Sequence, residues 1–264
     1  MRLGPYLGLV ENYFKTLMTY RLNLVVEMLN PFLSLAIMWF VWKAIFASSP
    51  APLIAGYAFS AMVTYTAIAS VMRTYTWLNA EYEVENEVKS GSIVAVLIKP
   101  LSYPFYRFSI DTGGAVTWLL LTKLPIIVFA FAVLGISGPA SPLFFVSALL
   151  GYLVNYLMVF LTALWCFWTV GDVWGIRFAR QMIAEVASGA LVPLTFFPAV
   201  LQGVFNVLPF QAVFYVPLSI YMGTVTGYAA LAGIAVQLAW IGMLFAVTYV
   251  AWHFTIRRVV VQGG

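Results

Sequence analysis

Long apolar stretches alternate with short polar connections along most of the chain. An α-helix needs about 20 apolar residues to cross roughly 30 Å of hydrocarbon. Six stretches reach that length, and the predicted spans are 22–47, 53–72, 112–134, 143–170, 183–202 and 228–254. The pattern predicts an all-α integral membrane protein with six transmembrane helices in one transmembrane domain over residues 1–264.

Two further segments fit a membrane environment without crossing it. Residues 1–21 carry apolar side chains at three- and four-residue spacing around Glu11 and Lys15, a pattern typical of a helix at the membrane interface. Residues 203–225 are apolar but interrupted by prolines, and we expect a re-entrant hairpin there. Non-helical backbone is tolerated at membrane depth only where protein or a wet cavity covers it.

The placement of basic residues predicts the orientation of the spans, because cytoplasmic flanks carry an excess of Lys and Arg. Six spans with a hairpin at 203–225 place eleven of the thirteen basic residues on one side. These are Arg2, Lys15, Arg21, Arg73, Lys89, Lys99, Arg107, Arg177, Arg180, Arg257 and Arg258. If residues 186–223 crossed twice, Arg257 and Arg258 would lie on the wrong side. We therefore expect a multi-pass protein of the cell (inner or plasma) membrane with cytoplasmic N- and C-termini.

The composition narrows the class of protein further. Hydrophobic residues make up 63% of the chain and charged residues 8%, whereas about a quarter of a soluble domain is charged. The lone Cys166 allows neither a disulfide nor a cysteine metal site within one chain. The net charge of +4 comes from the clusters that flank the spans, so no nucleic-acid partner is expected.

Residues 73–111 form the most charged segment, and we expect them to be the largest cytoplasmic loop. After an acidic start, a Gly91-Ser92 break leads to a short apolar helix with Val94, Leu97 and Ile98 on one face. Exposed apolar surface on such a loop indicates docking into a groove of a soluble partner. A helix resting on lipid headgroups is the alternative, and the residues alone leave both open.

Three parts of the sequence together resemble the permease subunits of type-2 ABC exporters, the ABC-2 family transporter proteins. The first is the surface helix before span one. The second is the run after span two, Glu87-x-x-x-Gly91-x-Ile93 and then Leu97-Ile98-Lys99-Pro100-Leu101-Ser102. The third is the series Pro193, Phe196, Phe197, Pro198, Leu208, Pro209, Pro217 and Gly223 before the last span. The resemblance covers essentially the whole chain.

The resemblance implies a coupling helix in the loop after span two, a re-entrant hairpin after span five, and a separate ATPase. Two copies of an ABC ATPase subunit and a second permease, identical or related, would complete the transporter. The implied contacts to the ATPase are Glu87, Gly91, Ile93, Val94, Leu97, Ile98 and Lys99. In this interpretation Gly91 permits the turn, and Ile93, Leu97 and Ile98 enter a groove of the ATPase.

The chain contains no Gly-x-x-x-x-Gly-Lys-Ser/Thr phosphate loop. We therefore expect a non-catalytic permease that binds no cofactor of its own, with ATP and Mg²⁺ on the partner ATPase.

Four residues are candidates for the substrate pathway: Tyr65, Lys123, Thr195 and Phe196. Three of them lie in spans two and five, which line the central route in the family that the chain resembles. Lys123 is chosen because a charge at membrane depth is costly and tends to face a cavity or a partner. For Lys123, as for Glu27, structural ion pairing is the alternative.

Other functions compete with an ATP-driven exporter. An ion-coupled carrier would need acidic residues at mid-membrane, and none is obvious. A membrane-embedded enzyme would need clustered catalytic groups, yet the chain has one His, one Cys and few acids within its spans. A scaffold subunit without transport activity is a third alternative. Nothing in the sequence selects a substrate.

Overall fold

The computed structural model describes residues 21–76, 78–169 and 173–258. Within these ranges the chain is built from helices and turns, with one isolated bridge between Ile54 and Tyr57. The α-helices are α1 (Arg21–Ser48), α2 (Phe59–Thr76), α3 (Ala80–Lys89), α4 (Ile93–Leu97), α5 (Tyr103–Trp118), α6 (Leu124–Ala132), α7 (Leu143–Ala163), α8 (Trp174–Ala187), α9 (Ala199–Val207), α10 (Tyr215–Tyr221) and α11 (Gly227–Thr255). The predicted all-α class is confirmed. The predicted interfacial helix over 1–21 lies, except for Arg21, outside the described residues.

Four helical segments in the described part of the chain are long and apolar enough to cross a membrane. They are Val25–Ser48, Tyr103–Ala132, Leu143–Phe167 and Gly227–Thr255. A fifth candidate is the pair Ala199–Val207 and Pro209–Tyr221, whose two parts meet at 77°. The described residues therefore contain four or five candidate spans by length and composition.

Helix α2 is not one of these candidates, because serine and threonine residues and Arg73 make it more polar. Its apolar side chains are buried against the neighbouring helices α1 and α7. The helix also begins later than the predicted span 53–72. Ala55 and Gly56 have φ angles of 49° and 87°, and the resulting turn precedes the first residue of α2.

The helix predicted over 112–134 begins earlier, at Tyr103. Arg107 Nε donates to both carboxylate oxygens of Asp111 at 3.0 Å, so two residues expected in the loop form an ion pair along α5. Between α5 and α6 the chain forms a π-helical segment, Leu119–Lys123.

The predicted span 183–202 is not one continuous helix. Helix α8 ends at Ala187, and Gly189 follows with a φ angle of +81°. Pro193 and Pro198 then lack the N–H groups that a continuing helix needs. A helix begins again at Ala199, earlier than the hairpin predicted at 203–225.

Within the described ranges, three clusters of buried apolar side chains hold the helices together. The largest joins α1, α2, α7 and the segment around α10, with Trp42, Tyr65, Val154 and Leu218 among its members. The second joins α3, α4, α5 and α7 and includes Val84, Ile93, Tyr103, Val159 and Phe160. A smaller cluster connects α1, α2 and α6. Helix α7 contributes to the two large clusters and is central to the fold.

Candidate coupling surface and polar cavity

Helices α3 and α4 and the chain to Leu101 form a compact unit, which we call the loop unit (residues 80–101). Glu81 and Glu83 lie in the first turn of α3 and Lys89 in its last turn, as the helix dipole favours. Gly91 then adopts a φ angle of +71°, a conformation that costs glycine little. Helix α4 follows after this turn and ends before Pro100.

The start of α3 is fixed to helices α7 and α8 by Glu81, whose residue exposure is 1%. Arg180 of α8 donates from Nε to Glu81 Oε1 at 2.7 Å and from Nη2 to Oε2 at 3.0 Å. Thr162 of α7 donates to the same carboxylate at 2.6 Å. Arg177 Nε lies 3.7 Å from Glu81 Oε2. A buried carboxylate is thus paired and hydrogen-bonded, as burial of a charge requires.

The end of α3 is fixed to α5 by Glu87. Arg107 Nη1 donates to Glu87 Oε1 at 3.2 Å, and the hydroxyl of Tyr103 donates to Glu87 Oε2. Arg107 in turn pairs with Asp111 on the same helix. Both ends of α3 are therefore bound through charged groups, so a displacement of α3 would pull on α5, α7 and α8.

The predicted coupling residues divide between an inward and an outward face. Ile93 is 2% exposed and packs into this chain's own second cluster, so it supports α4 from beneath. Val94 and Leu97 are half-buried against the same cluster. Ile98 is 79% exposed, and Lys99 is also exposed. Gly91 provides the turn, and Glu87 is held by Arg107 within the chain.

Sequence reasoning missed two features of this unit. Val96 is buried with Ile93, and this three-residue spacing marks the inward face of α4. Leu101 is 39% exposed and extends the outward surface beyond Pro100. The spacing of Ile93 and Val96 was visible in the sequence, but the direction of that face depends on the turn at Gly91.

Three of the four predicted pathway residues lie in one region. Tyr65 is fully buried and donates from its hydroxyl to the carbonyl of Gly189 at 2.6 Å. Tyr65 and Phe196 both contact the ring of Tyr57, with centroid distances of 6.1 and 6.2 Å. Thr195 is exposed beside them. Tyr65 has no exposed surface here and packs as part of an aromatic cluster.

Lys123 is separate from this cluster and lines a polar cavity of about 500 Å³ between α1, α2, the start of the loop unit and α5. The wall carries polar and charged side chains from Glu27, Asn30, Ser34, Ser70, Arg73, Asn79, Glu83, Arg107, Asp111, Thr122 and Lys123. Sequence reasoning singled out Glu27 and Lys123 separately, and the structure brings both to this cavity. No spacing rule links residues so far apart in the chain.

In the described part of the chain, no cluster of three or more His, Cys, Asp or Glu side chains is suited to hold a metal ion. The charged groups described above are instead arranged as ion pairs and as the wall of a cavity.

Several membrane-length helices, with a charged unit anchored to them, define a multi-pass helical membrane protein. The family model described as ABC-2 family transporter protein matches residues 32–263, so the chain belongs to that family. The resemblance seen in the sequence is thereby confirmed, and the chain is a transmembrane permease of the ABC transporter type. A comparison with curated proteins gives no match.

Proposed function

We propose that this chain is the membrane subunit of an ATP-driven exporter. It provides the substrate pathway and is driven by a separate ATPase subunit, present in two copies, which binds ATP and Mg²⁺. A second permease, identical or related, completes the pathway. The complex lies in the cell (inner or plasma) membrane, with both termini of this chain in the cytoplasm. Membership of the ABC-2 family supports the pairing with an ATPase.

One observation carries the proposal: the loop unit has an exposed apolar tip and a base that is ion-paired to the membrane helices. At the tip, Ile98 is 79% exposed and Leu101 is 39% exposed. At the base, Glu81 and Glu87 are bound by Arg180 and Arg107. An exposed apolar group on a short helix is typical of docking into a groove.

In the proposed mechanism, closure of the ATPase dimer displaces the loop unit as a rigid body. The ion pairs of Glu81 and Glu87 carry this displacement to α8 and α5. These helices then switch the permease pair between inward- and outward-facing states, which is a common mode of rigid-body switching. Ile93 and Val96 stabilise the unit by packing against the chain's own core.

The re-entrant hairpin belongs to the same proposal, and the contacts of the bent pair support it. Phe196, just before the pair, packs on Trp42 near the end of α1. Tyr221, at the end of the pair, donates from its hydroxyl to the Ser137 carbonyl at 2.6 Å. Both ends thus reach the same side, where α1 ends and the 135–142 turn lies. Between them, the Ala212 carbonyl accepts from Gln237 Nε2, within α11, at 2.7 Å.

A count of six spans follows if α2 and the region of α8 each cross once. Helix α2 is polar but covered by α1 and α7 on its core side. Helix α8 has 14 residues, about 21 Å at 1.5 Å per residue, so it needs the irregular segment up to Phe196 to complete a crossing. That segment is covered by protein, since Tyr65 binds the carbonyl of Gly189.

The proposal is tested by purifying the tagged chain from its native membrane in mild detergent and identifying co-purifying proteins by mass spectrometry. We expect a stoichiometric soluble ATPase with the wild-type chain. Ile98→Asp should lose the ATPase and transport, because a carboxylate would enter an apolar groove. Ile98→Leu, which keeps the apolar surface, should retain both.

Folding is checked separately from coupling. Since Ile98 is largely exposed, Ile98→Asp should insert and unfold at the wild-type temperature, whereas Val96→Asp should not fold normally because Val96 is buried. A normal complex and normal transport with Ile98→Asp would contradict the assignment of the coupling surface.

A further inference from the structure

We propose that the polar cavity around Lys123 is a binding site for the zwitterionic headgroup of a phospholipid, with Lys123 binding the phosphate and Glu27 the amine. This site is separate from the coupling surface, and its test uses the full chain without an ATPase.

The charges that line the cavity fall into two groups. Arg73 and Arg107 are already paired, with Glu185 at 2.9 Å and with Asp111 at 3.0 Å. Lys123, Glu27 and Glu83 also line the cavity, but none of them has an ion pair within 4.0 Å among the described residues. Glu27 attracts Lys123 electrostatically without forming a direct ion pair, so this cation and the two carboxylates can bind a ligand with both a negative and a positive group.

Neutral polar groups complete a place for phosphate beside Lys123. Asn30, Ser34 and Ser70 line the cavity, and their side chains make no hydrogen bond within the described ranges. Glu27, Asn30 and Ser34 are spaced by three and four residues, so they share one face of α1. Phosphate oxygens accept hydrogen bonds from amide, hydroxyl and ammonium groups, and charge-assisted bonds are the stronger ones.

Both of the helices that provide Glu27 and Lys123 are irregular at this cavity. Pro31 lies inside α1 and has no N–H, so the carbonyl of Glu27 loses its usual helical partner and can accept from an amine. Lys123 is the last residue of the π-helical segment Leu119–Lys123. Single π-helical turns occur frequently at functional sites. Two irregularities at one polar cavity indicate a site that is built for a ligand.

The surroundings favour a lipid over a soluble phosphate compound. Exposed apolar side chains at helical spacing follow α1 in Val26, Leu29 and Leu33. A second exposed apolar row follows the α5–α6 helix in Val116, Leu120 and Leu124. Acyl chains could lie along these rows while the headgroup occupies the cavity. A soluble phosphate compound has no acyl chains that could contact the two rows.

In the test, each ligand is titrated onto the full-length chain, purified alone in detergent, and the bound ligand is measured by native mass spectrometry. The ligands are dioctanoyl phosphatidylethanolamine, dioctanoyl phosphatidylglycerol, dioctanoylglycerol and free phosphoethanolamine. We expect the wild-type chain to prefer phosphatidylethanolamine. Lys123→Gln should lower the affinity for both phospholipids by about tenfold, because one charge-assisted contact is lost. Lys123→Arg should retain binding, and Glu27→Gln should abolish only the preference for phosphatidylethanolamine over phosphatidylglycerol.

The matched control is Lys43→Gln, because Lys43 is an exposed lysine that lies over the Trp39 ring and outside the cavity. It should bind both phospholipids like the wild-type chain. Equal losses in Lys43→Gln and Lys123→Gln, or no loss in Lys123→Gln, would overturn the site. If phosphoethanolamine binds as tightly as phosphatidylethanolamine, the assignment of a lipid ligand is wrong and the ligand is a soluble phosphate compound. Dioctanoylglycerol binding as tightly would exclude recognition of the headgroup.

Discussion

Glu81 is a buried carboxylate that depends on partners from helices far along the chain. Arg180, which binds it through two nitrogens, lies 99 positions away. A buried ion pair adds little stability compared with an apolar pair of the same volume, but removal of one partner leaves an uncompensated buried charge. The pair therefore affects stability most when it is broken, and this effect can be measured by replacing either Glu81 or Arg180.

We expect Glu81→Gln to lower the unfolding temperature of the purified chain markedly, since breaking a buried pair costs about 3–5 kcal/mol. Arg180→Gln should have a similar effect, because it leaves the Glu81 carboxylate with weaker partners. In the double variant neither charge is left buried without its partner. The decrease in its unfolding temperature should therefore be clearly smaller than the sum of the decreases in the two single variants. The measurement is thermal unfolding in detergent for all four proteins.

Lys99→Gln is the control for this cycle, because Lys99 is exposed and should leave the unfolding temperature unchanged. Strictly additive losses in Glu81→Gln and Arg180→Gln would show that the two side chains do not act as a pair.

At this scale the sequence predicts the kinds of residues more readily than their partners. The acidic residues of the loop and the isolated charges Glu27 and Lys123 could be identified as unusual in so apolar a chain. That Glu81 binds Arg180, or that Ile93 faces inward while Ile98 faces outward, could not be predicted. No helical spacing connects Glu81 to α8, and the orientation of α4 depends on the turn at Gly91.

Among the helices, α7 approaches the chain just before α10 closely at Gly151. A Cβ atom on Gly151 would lie 2.8 Å from the Val213 carbonyl oxygen and 3.1 Å from that of Ala212. The same Ala212 carbonyl is bound by Gln237 of α11. Gly151 thus allows the innermost part of the bent pair to sit directly against α7.

Gly151→Ala should lower the unfolding temperature, because the added methyl group must push backbone atoms apart and overpacking costs typically about 1–3 kcal/mol. Gly242→Ala is the matched control: it lies in α11 and a Cβ there meets nothing within 4 Å. Since alanine is favoured over glycine within helices, Gly242→Ala should be neutral or stabilising. Unfolding of both variants in detergent measures the difference, and equal temperatures would contradict the close approach.

Element boundaries could be predicted where long apolar runs end at charges or turns, as for both ends of α1 and α11 and for the start of α7, whereas α7 ends at Ala163 and not at 170. They could not be predicted for 183–202, where the chain after Glu185 is mostly apolar but the helix breaks at Gly189. Hydrophobicity reports the environment of a side chain and not the depth or direction of its backbone. The prolines signalled an irregular region, but the sequence does not show which of them begins a helix; in the structure α9 begins directly after Pro198.

For the whole molecule, the proposed topology rests on the basic residues and on the contacts of the bent pair. Arg257 and Arg258 share a side with the loop unit only if the pair at 199–221 enters and leaves on one side. A second crossing would move both ends of α11. The two arrangements therefore predict opposite positions for the 224–227 connection and for the C-terminus.

Cysteine accessibility in cells separates these arrangements. Cys166 is the single cysteine and is buried, so Cys166→Ala provides the background. Single cysteines would then be introduced as Ser49→Cys, Ser90→Cys, Thr226→Cys and Arg257→Cys. With a re-entrant pair, a membrane-impermeant maleimide should label Ser49→Cys and Thr226→Cys from outside. It should label Ser90→Cys and Arg257→Cys only after the membrane is permeabilised. If the pair crosses instead, the loop unit stays on the cytoplasmic side and the start of α11 lies on that side too. Ser90→Cys and Thr226→Cys would then both be labelled only after the membrane is permeabilised, and this result would contradict the re-entrant pair.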